Sequence, residues 1–585
     1  EYGRERGIPW GVSESGYNMV DVHLNYQYRA FGVPGLGLKR GLGEELVIAP
    51  YATALALMVT PEQACLNLQR LAAEGAEGPF GFYEAIDYTP ARLPRGQSHA
   101  LIRSFMSHHQ GMSLLALDYL LRDQPMQKRF VEDPEFQATL LLLQQVLRHG
   151  TVRYFVGGWE PPWGIELAVD PVNALLLVLV TLLASITLAY APASVAREIG
   201  HVRAPLFYAA LSLLVTGLLG IAVTGDAFNV FVFLEISSLA SYTLIALGRD
   251  RRALTASFQY LIMGTIGATF YLVGIGFLYA MTGTLNMADL AERLPELSDT
   301  RTVRTAFGFI VTGICLKLAV FPLHLWLPNA YTFAPSVVSV LIAATSTKVA
   351  LYLLIRMLFT VFGPAFAFVQ EPTAGILVAL ALAGMLSCSL VAIGQRDIKR
   401  MLAYSSVAQI GYMVLGIGMG SVLGLTAALL HMFNHALIKG ALFMALGAVV
   451  LRLRGSGREQ MAGLARRMPW TFWAFVLGGL SLVGVPLTVG FVSKWYLILA
   501  AIEQGWWPVV AAIVLASLMA LVYIGRVVQS GWFDEPPPGK PEEAPLSMLL
   551  PMWALVLANI YFGIDTRLTV GVAERAAALL FSSSP

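Results

Sequence analysis

The sequence predicts an all-α polytopic membrane protein of about twelve transmembrane helices, two of them broken, preceded by a soluble segment. Three observations carry this prediction. The 585 residues are 56% hydrophobic and only 13% charged, against about 25% charged in an average soluble domain, and the mean hydropathy is +0.65. The apolar excess is uneven: residues 1 to about 150 read as soluble and the rest as membrane. Beyond that point, stretches repeatedly reach the roughly 20 apolar residues that a bilayer span requires.

Twelve such stretches follow in order: 172–192, 205–224, 227–247, 255–281, 305–324, 335–362, 372–394, 401–419, 422–450, 470–499, 507–528 and 546–564. Their connections are short, as in a compact bundle, except at 282–304, 451–469 and the Pro-rich 533–546. Alternate loops carry the basic residues: Arg197 and Arg203; Arg249, Arg251 and Arg252; Arg396, Lys399 and Arg400; Arg452, Arg454, Arg458, Arg466 and Arg467; and Lys540. The opposite loops carry only Arg293, Arg301 and Arg304. The positive-inside bias puts the first set in the cytoplasm and the segment before 172 outside.

Two spans are interrupted. Lys317 is followed by Phe321-Pro322 and His324-Leu-Trp-Leu-Pro328, and the run Ser481–Phe491 (SLVGVPLTVGF) precedes Lys494. Proline removes a backbone donor and breaks a helix. Broken helices at matching places in two halves point to inverted repeats, as in transporters. The plainer alternative is that both are ordinary proline kinks.

Seven ionisable residues lie inside five of the spans: Glu235, Lys317, Lys348, His431, His435, Lys439 and Lys494. A charge at the bilayer centre costs roughly 2.5–3.5 kcal/mol, so this set predicts a buried polar path for protons or cations. Glu235 and Lys317 are opposite charges on separate spans and are read as a coupled pair, in which protonation of one alters the other; the alternative is a structural ion pair. Lys348 lies among hydroxyls in Ser346-Thr347-Lys348, far from either end of its span, which argues against snorkelling. His431, His435 and Lys439 recur at i, i+4, i+8 and share one helix face; histidine titrates near neutral pH and can relay protons. The spacing also suits zinc, but the neighbouring Lys439 and the lack of a Cys or acidic third ligand argue against a metal. Lys494 follows the second break, with a surface anchor as its alternative. Asp226 reads as a helix cap, Asp397, Lys399 and Arg400 as a solvated cytoplasmic charge cluster, and the glycines of Gly416–Gly420 as a packing or turn feature. The net charge of +2 offers nothing to nucleic acid, and the scattered Cys65, Cys315 and Cys388 indicate neither disulfides nor an iron–sulfur site.

From Gly157 onward the chain resembles a known family. The stretches GGWEPPWGIELAVDPVNALLL, TGDAFNVFVFLEISSLASY, GTLNMADLA, LKLAVFPLHLWLPNAY, STKVALYLLIR, QRDIKRMLAYSSVAQIGY, HMFNHALIKGALF and GFVSKWYL run in the order of the proton-translocating antiporter family. That family includes the Mrp-type cation/proton antiporter subunits and the antiporter-like subunits of complex I and membrane hydrogenases. GTLNMADLA and GGWEPPWGIEL are most similar to the Mrp D subunit. The resemblance implies that Glu235 is the family's membrane glutamate, Lys317 its partner on a broken helix, and Lys348, His431, His435, Lys439 and Lys494 the rest of a hydrophilic axis. It implies proton translocation coupled to cation antiport, with Na+ the expected cation, in a multi-pass protein of the bacterial inner membrane. It also implies sibling subunits as partners and no cofactor. The alternative is a proton-pumping membrane subunit of complex I or of an energy-converting hydrogenase. One departure stands out: family members carry a further pair of spans upstream of the segment matching 172–192, and here an unrelated sequence replaces them.

That sequence resembles the C-terminal part of the glycoamylase-like domain of cyclic β-1,2-glucan synthases, through WGVSESGYN, YQYRAFGVPGLGLKRGLGEELVIAPYATALALM, GFYEAIDYTP and SFMSHHQGMSLLAL. The fold implied is a partial (α/α)6 barrel, mostly helical. Glu14 and Glu84 are candidate paired carboxylates for glycoside chemistry; Asp87, His108 and His109 are candidates to line a sugar cleft, with Trp10 stacking on rings. The alternative is that all are ordinary polar residues of an incomplete fold. The fragment is expected not to close a barrel, to leave apolar faces such as Ala52–Val59 and Leu140–Val146 without partners, and not to cleave glucan. The glycines of GVPGLGLKRGLG lack the order of a phosphate loop. A rival function of another class is a membrane-anchored β-1,2-glucan transglycosidase. The chain begins with Glu1, no signal peptide precedes the soluble segment, and the join near Gln144–Phe155 has no linker composition; these features suggest a truncated or chimeric gene, or an unusual fusion. The domains expected are 1–148, a junction at 149–171, a membrane domain at 172–565 and a tail at 566–585.

Overall fold

The computed structural model describes residues 7–22, 25–31, 45–58, 60–106, 109–110, 112–114, 116–117, 142–146, 148–536 and 543–582. His108, Val59, Lys540 and the glycine run 32–43 lie outside them. The chain divides into two compact units, 1–138 and 139–585.

The described part of the first unit mixes short strands with short helices, which corrects the mostly helical expectation. Strands β1 (Glu14–Val20) and β2 (Tyr26–Ala30) pair antiparallel, as do β4 (Glu77–Gly78) and β5 (Gly81–Phe82). Strand β3 (Val47–Ile48), β6 (Ala85–Asp87) and β7 (Ala100–Ile102) form an antiparallel sheet in the order β3-β6-β7. The sheet is apolar on both faces: Ile48 and Ile86 bury into one small cluster, Val47, Ala85 and Ile102 into another. Two of its helices are α1 (Pro50–Leu55) and α2 (Pro61–Ala73), each started by proline at its first position, where the missing N–H costs nothing. The Ala52–Val59 stretch is not left bare, since Ala54 and Leu57 are buried.

The second unit opens with a hairpin of β8 (Val152–Phe155) and β9 (Glu166–Val169), ahead of a helical bundle. Its helices are α3 (Pro171–Glu198), α4 (Ala204–Val223), α5 (Ala227–Ala246), α6 (Arg251–Thr282), α7 (Met287–Leu297), α8 (Arg301–Leu318), α9 (Trp326–Phe333), α10 (Ser336–Ala344), α11 (Ser346–Ile355), α12 (Thr373–Ile393), α13 (Ile398–Gly418), α14 (Val422–Leu453), α15 (Pro469–Val483), α16 (Val489–Glu503), α17 (Trp507–Phe533), α18 (Leu546–Ile564) and α19 (Arg567–Ser582). Ten described segments are long and apolar enough to cross a membrane, α10 and α11 counting together as one. The broken α8 and the α15–α16 pair fill the two remaining expected positions. Leu142 and Leu143 pack against this bundle and Val146 is buried in it, so the Leu140–Val146 face has partners.

Burial sorts the helices. In α14 every residue from Gly424 to Val449 is buried, which makes it the centre of the bundle, as expected of a helix apolar all round. Helices α6 and α17 instead present large apolar side chains outward, among them Phe258, Ile262, Leu518 and Leu521. Exposed Trp470, Trp473, Trp507 and Trp532 suit the membrane interface, where an amphipathic ring is partly wet. The tail expected at 566–585 is instead the amphipathic α19, which buries Val572, Ala573, Ala576, Ala577 and Leu580.

Three interruptions shape the interior. Helix α8 ends at Leu318, Ala319 turns left-handed (φ 61), and α9 starts at Trp326. Helix α15 ends at Val483 with Gly484 left-handed (φ 91), and α16 starts at Val489. Asn434 Nδ2 on α14 donates to the Val489 carbonyl at 2.7 Å and pins this second break. A third break separates α10 from α11 at Thr345. It has no proline or glycine; Thr345 Oγ1 donates back to the Leu341 carbonyl at 2.7 Å, a bond known to bend helices.

Candidate functional site

The breaks place polar backbone where the membrane cations lie. Lys317 is in the last turn of α8, 8% exposed, where unsatisfied carbonyls carry partial negative charge that favours a cation. Its Nζ donates to Ser238 Oγ on α5. Glu235 is on the same helix as Ser238, less than one turn away. No ion pair joins Glu235 directly to Lys317 among the described residues, and Glu235 Oε1 is buried without a hydrogen-bond partner. Ser238, which also donates to the Leu234 carbonyl, thus anchors Lys317 to the helix that carries Glu235, and the two charged groups form no direct ion pair. Glycines allow the approach: a Cβ on Gly264 of α6 would lie 2.0 Å from the Tyr242 hydroxyl and 3.4 Å from Lys317 Nζ. Trp326 Nε1 donates to the Leu316 carbonyl at 3.0 Å and Trp326 stacks on Tyr260 at 3.9 Å, so the broken end is held from both sides.

A cavity of about 30 Å³ lies beside Lys317, lined by Ser237, Ser238, Ser241, Tyr260 and, across it, Ser346 of α11. It is large enough for an ordered water. Two residues on from Ser346 is Lys348, fully buried, with Nζ donating to the Ala343 carbonyl at 2.5 Å on the far side of the Thr345 break and to Thr347 Oγ1 at 3.4 Å.

The α14 face continues the row. Lys439 is fully buried and donates to the Leu402 carbonyl at 2.8 Å and Ser405 Oγ at 2.5 Å, both on α13. His431 lies between Ser493 Oγ at 2.8 Å and Gln409 Oε1 at 2.9 Å. An amide oxygen only accepts, so the network assigns the ring proton to Nε2 and leaves Nδ1 to accept from Ser493. His435 between them is fully buried with neither ring nitrogen bonded, an arrangement that calls for ordered water. Lys494 on α16 donates to the Leu482 and Val483 carbonyls at 3.0 and 2.9 Å and to Ser517 Oγ at 3.1 Å, over the Tyr412 ring. It therefore meets the carbonyl end of broken α15 directly, whereas Lys317 lies in the last turn of its own broken helix and bonds Ser238 on α5. Lys494 is 5% exposed and is no surface anchor.

Sequence reasoning missed several participants. Lys399, expected in solvent, is 5% exposed and donates to the Ala334 carbonyl at 2.6 Å, and both line a cavity of about 510 Å³ on the side of the basic loops. Asp397, expected in the same solvated cluster, caps α13 through the Arg400 N–H at 2.9 Å; Asp226 caps α5 through the Asn229 N–H at 2.6 Å, as its sequence position predicts. The partners Ser405 and Gln409 sit at i, i+4 in the run LAYSSVAQIGY, a spacing that could have marked them. Asp170 and Arg356, an ion pair at the other membrane face, are separated by 186 residues and carried no local signal. In Gly416–Gly420, a Cβ on Gly416 would meet the Gly424 carbonyl at 2.6 Å, and Gly420 turns with φ +57; these are packing and turn glycines.

In the first unit Glu84 is 2% exposed, with His109 Nδ1 at 3.0 Å and the Gly16 N–H at 3.3 Å. His109 also stacks on Tyr51 at 3.7 Å. Glu14 is exposed at the start of β1. Burial first, and then the charges of Glu14, Tyr51 and Glu84, push the Tyr28 hydroxyl up to about 12. Asp87 does not line a cleft: it is fully buried and takes two bonds from the Arg92 guanidinium.

The fold and its buried row of lysines and histidines define a polytopic membrane subunit of the kind built on broken helices. The family described as NADH:quinone oxidoreductase/Mrp antiporter, TM, matches residues 224–520, and the chain belongs to it. Among similar proteins, the NADH-quinone oxidoreductase N subunit of Desulforudis audaxviator (strain MP104C) is 46% identical over 444 residues, covering 72% of this chain and 86% of that one. The Na(+)/H(+) antiporter D subunit of Bacillus subtilis (strain 168) is 29% identical, covering 76% and 89%. Of solved structures, the Mrp complex from Dietzia sp. DQ12-45-1b contains a chain that matches with TM-score 0.70 at 26% identity, covering 76% of this chain and 90% of that one. A chain of the membrane-bound sulfane sulfur reductase, an archaeal respiratory membrane complex, also matches with TM-score 0.70, at 32% identity, covering 76% and 92%. The chain is thus a multi-pass membrane subunit of the Mrp D and complex I N type. Residues 2–134 match a different family, described as putative glucoamylase.

Proposed function

We propose that this chain moves protons across the membrane along Glu235, Lys317, Lys348, His435 with its neighbours His431 and Lys439, and Lys494, coupled to cation antiport with Na+ as the cation. It would act as one subunit of a multisubunit complex in the bacterial inner membrane, with residues 172–565 as the transport domain. The observation that carries the reading is the set of four buried lysines, whose hydrogen bonds among the described residues go to carbonyls and hydroxyls and to no carboxylate. A buried ammonium without a carboxylate partner is costly and suits a site that changes protonation. Glu235, also without a bonded partner on Oε1, supplies the matching acid at one end, and the unbonded His435 supplies a wet step between cations.

The experiment is proton transport in vesicles containing the whole complex. Glu235→Ala and Lys317→Ala should each abolish cation-dependent proton movement at normal assembly levels; wild-type rates in either variant would overturn the reading. A second reading, proton pumping within a respiratory complex, is favoured by the 46% identity to a protein named as an oxidoreductase N subunit. Purification of the native complex separates the two: redox subunits would accompany the chain in one case and antiporter subunits in the other.

A further inference from the structure

We propose that Asp170 and Arg356 form the non-cytoplasmic gate of this path, with Tyr352 as the step between the gate and Lys348. The inference rests on the proton-transport reading above. Lys348, Tyr352, Arg356 and Thr360 follow one another at i, i+4, i+8 and i+12, so they lie along one face of the same span. That face runs from the centre of the bundle towards the side opposite the basic loops. Tyr352 and Arg356 are both buried. Tyr352 takes a hydrogen bond from Arg356 Nε at 2.8 Å and donates to the Ala222 carbonyl at 3.0 Å. Arg356 then reaches Asp170 Oδ2 with Nη2.

Beyond the pair the path opens. A cavity of about 140 Å³, lined among others by Arg153, Glu166, Asp170, Asn173, Tyr352 and Arg356, sits at this end of the bundle. It has room for several waters. Both Asp170 and Arg356 border it, with side chains 21% and 11% exposed. Two features suit movement. Asp170 is fixed only through Oδ1, which caps α3 by accepting from the Val172 and Asn173 N–H groups at 2.9 and 3.1 Å; Oδ2 is left to Arg356. Arg356 itself begins a π-helical stretch, Arg356–Val361, a winding that accompanies functional sites. With the pair closed, the guanidinium blocks the face between Tyr352 and the cavity. With Arg356 swung towards the cavity, a proton leaving Lys348 passes along the Tyr352 hydroxyl and water to the Asp170 carboxylate, which releases it to the outer solution. Arg356 stays charged throughout.

The test is the reconstituted complex in proteoliposomes, with Asp170→Asn and Arg356→Gln. Asparagine keeps the α3 cap and removes only the charge. Each variant is expected to assemble, to lose coupled transport by roughly tenfold, and to dissipate an imposed pH gradient faster than wild type. That leak should disappear when Lys348→Ala is added. A brace that merely ties α3 to α11 would give wild-type leak per complex, or loss of assembly in Asp170→Asn, and either result overturns the gate. Wild-type transport in Glu235→Ala would instead refute the transport reading itself, while the leak comparison still reports on the gate.

Discussion

At the scale of single residues, the path depends on atoms that are absent as much as on those present. Gly264 leaves room for the Tyr242 hydroxyl, which a Cβ would approach to 2.0 Å, and Tyr242 packs edge-on against Tyr260. Gly264→Ala therefore forces Tyr242 towards the Lys317 site or pushes α6 away from α5. Overpacking of this kind costs about 1–3 kcal/mol, so the solubilised complex should unfold at a lower temperature and transport more slowly. An unchanged melting temperature together with unchanged transport would show that the close approach does not matter. The seven charged membrane residues were legible because each interrupts an apolar background. Their partners were not, because Ser238, Ser405 and Ser493 are side chains that membrane helices tolerate anywhere. Lys399 was misread for the opposite reason: beside Arg396 and Arg400 it looks like one more loop cation, and only the bundle shows it turned inward onto the Ala334 carbonyl.

At the scale of elements, breaks written in Pro and Gly were readable and breaks made by hydroxyls were not. The α8–α9 and α15–α16 interruptions follow from Pro322 and from Gly484 with Pro486. The Thr345 break arises from a side chain bonding its own helix, and nothing in Ala344-Thr345-Ser346-Thr347 distinguishes it from a straight helix in advance. The strands of the first unit were missed because the resemblance implied a helical barrel, whereas Glu14–Val20 pairs as one strand of a hairpin. Strand β6 of that unit ends on a titratable lock. Burial of Asp87 opposes its charge, but bonds from Arg92, Thr89 and the Asn18 N–H outweigh it and hold the carboxyl below its usual value. A depressed folded-state pKa contributes stability that is present above the unfolded value of about 3.9 and is lost as pH falls through the folded value. Protection of the β3, β6 and β7 amides in the full chain, taken relative to their intrinsic exchange rates, should therefore fall below about pH 4. Asp87→Asn should lower that protection at neutral pH and remove most of its acid dependence. Protection in wild type that stays flat through this window would refute the lock.

At the scale of the whole molecule, two families share one polypeptide, and the glucoamylase-like part carries a chemical question of its own. Glycoside cleavage needs two carboxyl groups at a fixed separation across a sugar, one able to give a proton to the leaving oxygen. Glu84 is the better placed of the two candidates, but its oxygens face inward. His109 Nδ1 lies 3.0 and 3.1 Å from them, the Gly16 N–H donates a further bond, and Tyr51 stacks over the imidazole. A carboxylate held this way at 2% exposure ties β1 to His109 and is closed off from solvent. Asp87, expected to line a sugar cleft, is equally committed, to Arg92. The full-length protein in its complex is therefore expected to release no reducing sugar from β-1,2-glucan. Glu84→Gln should weaken the first unit, seen as faster proteolysis between residues 7 and 106, and should leave proton transport unchanged. Measurable glucan cleavage by wild type that disappears in Glu84→Gln would reverse this assignment, making Glu84 a catalytic residue and the chain a protein of two activities.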